Sequence, residues 1–269
     1  MRTQPGAGWL HTPPCPDRLN RGSKSNWMTG KGSGIELVLL PAAVWLEAYD
    51  ASTTYLERMV HKMRLVDFVR LIDNARFSQT EPYHKIEQDL RDAIDHVRWP
   101  PNGPDFAIYP ESGKKRKEGN GVKPIKLGFQ SLLSERGWRL ERRYPAAKDE
   151  SAVRPGAFDA WMELADAGFS PFVIEWETGN ISSSHRALNK MATGLQEGIL
   201  SGGILVLPTR HLYPYLTDRI GNFDELKPYF KFWSSMPVRG FLAVVSVEHD
   251  RESLEVPRIP KGTDGRAIG

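Results

Sequence analysis

The chain has 269 residues, with 36 Lys and Arg against 33 Asp and Glu, a formal net charge of +3 and a pI of about 8.9. This length suits a substantial core, and the mild positive charge is compatible with a polyanionic partner without indicating one. A single cysteine, Cys15, excludes an internal disulfide, and no apolar run is long enough for a membrane span. The start lacks the apolar core of a signal peptide, so we expect a cytoplasmic protein.

The first third of the chain divides by composition. Residues 1–34 are rich in Gly, Pro, Ser and Lys without periodicity, which predicts a disordered leader. Residues 35–79 are interpreted as a helical N-terminal extension, because apolar residues recur at roughly helical spacing between Leu56 and Leu71. The main domain would then span 80–269.

From residue 80 onwards, predicted helices and strands alternate. Thr80 is a predicted N-cap for a helix that the Trp99-Pro100-Pro101 run ends. The basic, Gly-rich residues 110–123 form either a solvated loop or a phosphate-contacting one. The later predicted elements are a helix over 124–140, a short element carrying Asp159, a strand over 172–178, a helix over 183–196, a strand over 202–208, helices over 212–220 and 223–233, and a strand over 239–249. This order predicts an α/β fold with a central mixed β-sheet flanked by helices.

The stretch FVIEWETGN, residues 172–180, carries two glutamates at the end of a predicted strand. Residues i and i+2 of a strand share a face, so Glu175 and Glu177 should lie side by side. Asp159, sixteen residues before Glu175, fits the neighbouring strand of a hairpin. Three such carboxylates suit a magnesium site, whereas glycosidase carboxylates must flank the scissile bond. A solvated strand face with lysine partners is the plainer alternative.

Several longer segments resemble type II restriction endonucleases of the BamHI family. They are EWETGNISSSHRALNKMATGL at 175–195, LTDRIGNFDELKPYF at 216–230, IPKGTDG at 259–265 and NGVKPIK at 120–126. The resemblance implies a restriction-endonuclease-like core of the PD-(D/E)XK type. It also implies a homodimer that cleaves both strands of double-stranded DNA at a six-base-pair palindrome, GGATCC, with Mg²⁺.

The resemblance also assigns site residues. Asp159, Glu175 and Glu177 match the family's metal-binding and catalytic acids, and Glu141 looks like a further metal-binding active-site glutamate, although its spacing differs by one residue. Glu177 stands where related nucleases carry lysine, which makes it a candidate general base. The residues expected to contact DNA are Asn180, Ser182, Arg186, Asp218, Arg219 and Lys126. For Asn180, Ser182 and Arg186, helix capping and phosphate contact without base reading is the alternative.

Some positions depart from the family pattern. The chain ends soon after KGTDG, which puts a minor-groove contact from a C-terminal arm in doubt, and Gln196-Glu197 replaces a Lys-His pair of the family's dimer interface. A DNA-binding protein that has lost cleavage and a nickase on the same fold are alternatives to the restriction enzyme. A cognate DNA methyltransferase is expected genetically, not as a stable complex. His185 and His211 lack metal-ligand spacing and are interpreted as packing or phosphate-side residues.

Overall fold

The computed structural model describes residues 62–115, 118–143, 156–217 and 220–261. The predicted leader at 1–34, the predicted helical residues 35–61 and the Asp218-Arg219 pair lie outside the described residues. All described residues fall within one structural unit. Among them, no helix combines the length and apolarity that a bilayer crossing requires.

Six strands form a mixed β-sheet at the centre of the fold. They are β1 (Arg64–Asp73), β3 (Arg139–Arg142), β4 (Phe158–Met162), β5 (Phe172–Trp176), β6 (Gly202–Pro208) and β7 (Phe241–Glu248), and their order in the sheet is β1-β7-β6-β5-β4-β3. Strands β5, β6 and β7 are parallel, whereas β1 is antiparallel to β7, and β4 is antiparallel to both of its neighbours. A separate parallel pair joins β2 (Ala107–Ile108) to β8 (Arg251–Glu252).

Helices cover both faces of this sheet. They are α1 (Glu81–His96) and α2 (Lys123–Glu135) on one face, and α3 (Ile181–Gln196), α4 (Phe223–Leu226) and α5 (Phe230–Ser234) on the other. Because strand side chains alternate between faces, Ile174 of β5 joins the core under α1 and α2, while Val173 joins the core under α3. The predicted α/β architecture, a central mixed sheet flanked by helices, is confirmed.

The two longest helices begin at polar caps. The Thr80 side chain accepts a hydrogen bond from the Tyr83 N–H at 3.4 Å, as the sequence predicts, and Pro82 lies in the first turn. Helix α3 begins two residues earlier than predicted. Its cap is Asn180, whose Oδ1 accepts from the Ser183 N–H at 3.2 Å, so the following serines are not the cap.

The predicted helical extension over 35–79 is wrong for residues 64–73, which form strand β1. The prediction rested on apolar residues between Leu56 and Leu71, among them Met63, Val66 and Val69, which recur at roughly helical spacing. The strand instead carries register irregularities at Leu65/Asp67 and at Arg70/Ile72 when it pairs with β7. Each irregularity interrupts the two-residue alternation that identifies a strand.

Two further predicted helices are shorter than expected. Helix α2 ends at Glu135 instead of 140, because Gly137 adopts φ +90° and turns the chain into β3. Over 212–220, the described residues contain only a 3₁₀ turn, Tyr213–Tyr215. The predicted helix over 223–233 is divided into α4 and α5 by a 3₁₀ turn containing Pro228.

Candidate active site

Three carboxylates lie in a row across adjacent strands at one end of the sheet. The β3–β4 register pairs Leu140 with Ala160 and Arg142 with Phe158, which sets Glu141 opposite Asp159. The β4–β5 register pairs Ala160 with Ile174, and one further residue along the hairpin sets Glu175 opposite Asp159. The predicted hairpin arrangement of Asp159 and Glu175 is therefore confirmed. Each residue reaches this row by strand pairing, so the sheet itself fixes their spacing.

A cleft of about 470 Å³ opens over this row of acids. Asp159, Glu175 and Glu177 all line it, so the two glutamates do face the same space. The described residues that line it are Lys126, Gly156, Ala157, Asp159, Glu175, Trp176, Glu177, Thr178, Ser183, Arg186, Ala187 and Lys190. The cleft is thus bounded by the ends of β4 and β5, by α2 and by the first turns of α3.

Asp159 is the most constrained of the acids. Its Oδ2 accepts from the Trp176 N–H at 2.8 Å, and its Oδ1 accepts from the Lys126 Nζ at 2.5 Å. Burial nevertheless raises the pKa of Asp159, and repulsion from Glu141 raises it further. The positive charge of Lys126 lowers this pKa but does not outweigh burial and repulsion. Two hydrogen bonds therefore fix the position of the Asp159 carboxylate, but the positive charge beside it does not fully compensate its burial.

Glu175 is buried beside Asp159 and faces Lys190 of α3. Burial first, and then repulsion from Asp159, raises the pKa of Glu175 to about 8. Lys190 forms an ion pair with Glu175 and donates to the Ala157 carbonyl at 2.5 Å. The sequence did not single out Lys190, although it lies four residues after Arg186 and so shares its helix face.

Glu177 follows β5 directly and lies half-buried in the same cleft. The Gly179 N–H donates to its Oε1 at 2.6 Å. A side chain at Gly179 would meet Ser183 Oγ at 2.7 Å and Glu177 Oε1 at 2.9 Å, so a larger residue in this turn would displace the Glu177 carboxylate or Ser183. Burial raises the pKa of Glu177, which makes its carboxylate a stronger base than a solvated one.

Glu141 lies on the outermost strand and is mostly exposed. Its backbone has φ +49°, a left-handed conformation that is uncommon for a residue other than glycine. Its carboxylate lies 3.5 Å from the Lys126 Nζ and accepts from Gln130 Nε2 at 3.2 Å. Lys126, predicted as a DNA contact, therefore lies between two acids of the cleft. Although burial opposes it, the charge of Asp159 raises the pKa of Lys126 and keeps it cationic.

The remaining predicted DNA contacts are only partly described. Asn180 and Ser182 lie at the start of α3, and Arg186 reaches the cleft one turn further along. Asp218 and Arg219 lie outside the described residues, so their prediction stands as made from the sequence.

The two histidines of the sequence analysis have different surroundings. His185 packs against Tyr229 and Trp233, with ring centroids 4.7 and 5.4 Å away, so its interpretation as a packing residue is confirmed. His211 instead stacks on His249 at 4.9 Å, beside Glu248 and Glu252. His211 and His249 are 38 residues apart, so sequence spacing gave no sign of this cluster.

The donor chemistry of the cleft fits a hard divalent cation. Carboxylate oxygens are the protein ligands that Mg²⁺ prefers, and Asp159, Glu175 and Glu141 could supply them from three adjacent strands. The raised pKa values of Asp159 and Glu175 show that the two neighbouring lysines leave these carboxylates undercompensated. An ion of charge +2 would stabilise both in their ionised form.

The chain is similar in sequence to known restriction endonucleases. The family model for restriction endonuclease BamHI matches residues 63–266. Over 184 residues, the chain is 47% identical to the type II restriction enzyme OkrAI of Oceanobacter kriegii, covering 68% of this chain and 89% of that protein. Over 199 residues, it is 35% identical to the type II restriction enzyme BamHI of Bacillus amyloliquefaciens, covering 72% and 89% respectively. A crystal structure of restriction endonuclease BGLII complexed with a DNA 16-mer aligns with a TM-score of 0.48 and 9% identity, covering 70% of this chain and 79% of that chain.

The mixed sheet, its row of acids and these matches define a site-specific deoxyribonuclease with a restriction-endonuclease-like α/β fold. The chain belongs to the BamHI family of type II restriction endonucleases. The family match begins at residue 63 and so includes β1, which the sequence analysis assigned to an extension outside the main domain.

Proposed function

We propose that the protein is a Mg²⁺-dependent homodimer that cleaves both strands of DNA at the palindrome GGATCC. The observation that carries the proposal is the row of Glu141, Asp159 and Glu175 across three strands, with Glu177 in the same cleft. The family resemblance implies the recognition sequence, and the matches to OkrAI and BamHI support the reaction class.

In this proposal, Asp159, Glu175 and Glu141 hold the metal. When bound, Mg²⁺ supplies charge neutralisation at the scissile phosphate and acidifies the attacking water. A hydrogen bond from the Trp176 N–H holds Asp159 in place, and strand pairing between β5 and β6 holds Glu175. Rigid placement of the ligands matters because phosphodiester hydrolysis requires the water in line with the leaving oxygen.

Glu177 takes the role of general base. Its raised pKa makes the carboxylate a better proton acceptor than a solvated one, and the Gly179 N–H fixes the orientation of that carboxylate. Lys126 and Lys190 supply fixed positive charge on either side of the acids. We assign Lys126 a contact to a DNA phosphate oxygen, because its ammonium group is cationic and borders the cleft.

Sequence reading is assigned to two clusters. Arg186 and Arg219 suit guanine, Asn180 suits adenine, Asp218 suits the cytosine amino group, and Ser182 is adaptable. The cap formed by Asn180 does not conflict with this role, because its Oδ1 has two lone pairs and Nδ2 is a separate donor. The first turn of α3 would at the same time direct N–H groups towards the phosphate backbone.

The homodimer follows from the palindrome, since one site cuts one strand and two-fold symmetry supplies the second. A cognate methyltransferase would protect the same sequence in the host's DNA without a stable complex. A binding protein without cleavage is the second candidate, and the presence of all four acids at one end of the sheet argues against it.

The test is digestion of phage DNA with Mg²⁺, with and without EDTA, followed by sequencing of the fragment ends. We expect cuts only within GGATCC and none in EDTA. If the fragment ends fall at another sequence, the proposed recognition site is wrong but the proposed enzyme class stands. Binding without cuts at any divalent metal concentration would establish the second candidate.

A further inference from the structure

A cluster of histidine and carboxylate side chains lies at the other half of the sheet, away from the acids of β3 to β5. His211 lies in the turn after β6, His249 directly follows β7, and Glu252 lies in β8. Because β6 and β7 are parallel neighbours, their carboxyl ends bring the two histidines together. One donor atom from each of the three residues lies within 4.8 Å of the others.

The two imidazole rings are stacked and face the same pair of carboxylates. The ring centroids are 4.9 Å apart, and the ring planes differ by 20°. Both Nε2 atoms face Glu252 Oε1, at 3.9 Å from His211 and 3.8 Å from His249. Both Nδ1 atoms face Glu248 Oε1, at 3.4 and 2.5 Å respectively. Each ring therefore has one nitrogen at Glu248 and the other at Glu252.

Glu248 is placed to select the tautomer of both rings. Its Oε2 accepts a hydrogen bond from the Thr209 hydroxyl, and its Oε1 lies 2.5 Å from His249 Nδ1 and 3.4 Å from His211 Nδ1. An ionised carboxylate at both Nδ1 atoms favours protons on those nitrogens, which leaves the Nε2 lone pairs directed towards Glu252. A carboxylate behind a histidine is the usual outer partner of a metal-bound imidazole.

Glu252 is held in place from a third element. The Tyr215 hydroxyl donates to its Oε1 at 2.6 Å. The cluster thus has three candidate ligands and separate residues that orient each of them.

We propose that His211, His249 and Glu252 form a second metal site, for a Zn²⁺-class transition-metal ion. Two imidazoles and one carboxylate suit zinc, whereas Mg²⁺ prefers oxygen ligands alone. Metal–ligand bonds of about 2.0–2.2 Å place tetrahedral ligands roughly 3.3–3.5 Å apart. The two distances to Glu252, 3.8 and 3.9 Å, require a small contraction, and the two histidine donors, which lie within 4.8 Å of each other, require a larger one. His211 is exposed and free to make that movement, and it gives an ion access from solvent.

The bound ion would brace the segment that leads to the second DNA-reading cluster. This segment, residues 209–217, contains His211 and Tyr215 and ends just before Asp218 and Arg219 in the sequence. A metal bond at His211 ties this segment to the end of β7 and to β8, which adds a cross-link between parts of the chain far apart in sequence. The metal site itself does not rest on the proposed cleavage reaction.

The test is zinc binding by the full chain, stripped with a chelator and measured by calorimetry in excess Mg²⁺, which competes at oxygen-rich sites. The ligand variants are His211→Ala and Glu252→Gln, and the control is His84→Ala, an exposed histidine on α1. Neither ligand variant removes a buried side chain, so both should fold. We expect each to bind one fewer Zn²⁺ than the wild type, or to bind it at least tenfold more weakly, while His84→Ala is unchanged.

Hydrogen exchange supplies a second readout on the same samples. Zinc should slow amide exchange over 209–217 in the wild type and in His84→Ala, but not in His211→Ala. The proposal is overturned if His211→Ala and Glu252→Gln bind zinc as the wild type does, or if the wild type binds none. These outcomes are independent of the digestion result, because they require neither DNA nor cleavage.

Discussion

Two buried aspartates of this protein lie in opposite electrostatic environments. Asp89, on α1 and facing the end of α2, is 3% exposed, and Asp159, in the cleft, is 8% exposed. Asp89 accepts hydrogen bonds from Lys85 at 2.7 Å and from Arg136 and Trp138 at 3.0 Å each. Burial raises the pKa of an acid, but these three donors outweigh it and lower the pKa of Asp89.

Asp159 has fewer compensating partners and more neighbouring negative charge. Burial raises its pKa despite the ion pair with Lys126, and Glu141 adds repulsion. The difference shows what each acid does. Asp89 is satisfied by the protein and ties α1 to the turn between α2 and β3, whereas Asp159 belongs to a group of carboxylates with too little positive charge beside it. The predictions below test this contrast, beginning with the largest effect.

The largest expected effect is on cleavage. Asp159→Asn keeps the shape of the side chain and an oxygen for the Trp176 N–H, but it removes a metal-binding charge. Because a bound metal supplies several kcal/mol of transition-state stabilisation, we expect cleavage to fall by roughly 10³-fold or more. Plasmid digestion measures the loss, and a gel shift on GGATCC DNA should show retained binding. The matched control is Asp166→Asn, an exposed residue between β4 and β5, which should cut normally. Near wild-type cutting by Asp159→Asn would refute its role.

The second effect separates recognition from chemistry. In the proposed function, Arg219 makes a paired contact to guanine, so Arg219→Ala should cost roughly 1–3 kcal/mol, or about 2–6 kcal/mol over both halves of a dimer. Specific binding should disappear at ordinary salt, while weak phosphate-driven binding to any duplex remains. Gel shifts with GGATCC and a one-base variant measure the change. Arg210→Ala, an exposed arginine in the same segment, is the control and should keep its preference. If Arg219→Ala still favours GGATCC, the recognition assignment fails.

The third effect is on stability. Asp89→Asn weakens two ion pairs and the bond from the buried Trp138 indole, so we expect a loss of about 1–3 kcal/mol in the free energy of unfolding. Asp92→Asn is the matched control, since Asp92 also pairs with Arg136, at 2.7 Å, but is partly exposed. Its loss should be about 0–1 kcal/mol. Urea unfolding measures both, and equal losses would contradict the role of burial at Asp89.

The fourth effect compares the two aspartates through metal binding. At a concentration ten times the dissociation constant, Mg²⁺ should stabilise the wild type by about 1.4 kcal/mol. Asp89→Asn should show the same Mg²⁺-induced rise in Tm from a lower starting point, because its cleft is intact. Asp159→Asn should show little rise. Thermal unfolding with and without Mg²⁺ measures this, and a full rise in Asp159→Asn would show that the ion binds elsewhere.

The sequence predicted those features that depend on nearby residues. The Thr80 cap, the boundaries of β6 and the pairing of the Asp159 and Glu175 strands all follow from local patterns that the structure confirms. Strand β1 was mistaken for a helix because its partner, β7, lies about 180 residues away and imposes the irregular register. A single sequence contains no direct record of such a pairing.

In the candidate site, too, the features set by nearby residues were predicted, and those set by distant elements were not. The acids were found because three of them lie within nineteen residues, 159–177. The position of Lys126 between Asp159 and Glu141, the ion pair of Lys190 and the meeting of His211 with His249 depend on how helices and strand ends pack. These contacts involve side chains from separate elements, and residue spacing does not encode them.

The last expected effect is the pH dependence of stability that Asp89 confers. Because its folded-state pKa is lowered, the folded protein keeps this carboxylate ionised to a lower pH than the unfolded chain does. The stabilising contribution is therefore fully present above the unfolded-state pKa of about 4, and it is lost as the pH falls through the folded-state value. Asp159 has a raised pKa and contributes with the opposite sign, so it cannot produce this loss in acid. The difference in unfolding free energy between wild type and Asp89→Asn should be constant from pH 5 to pH 7, on the order of 1–3 kcal/mol, and should shrink below about pH 4. Urea unfolding of the two proteins across this range makes the measurement. A difference that stays constant into acid would mean that Asp89 stabilises the fold by shape and hydrogen bonding alone, and not through its charge.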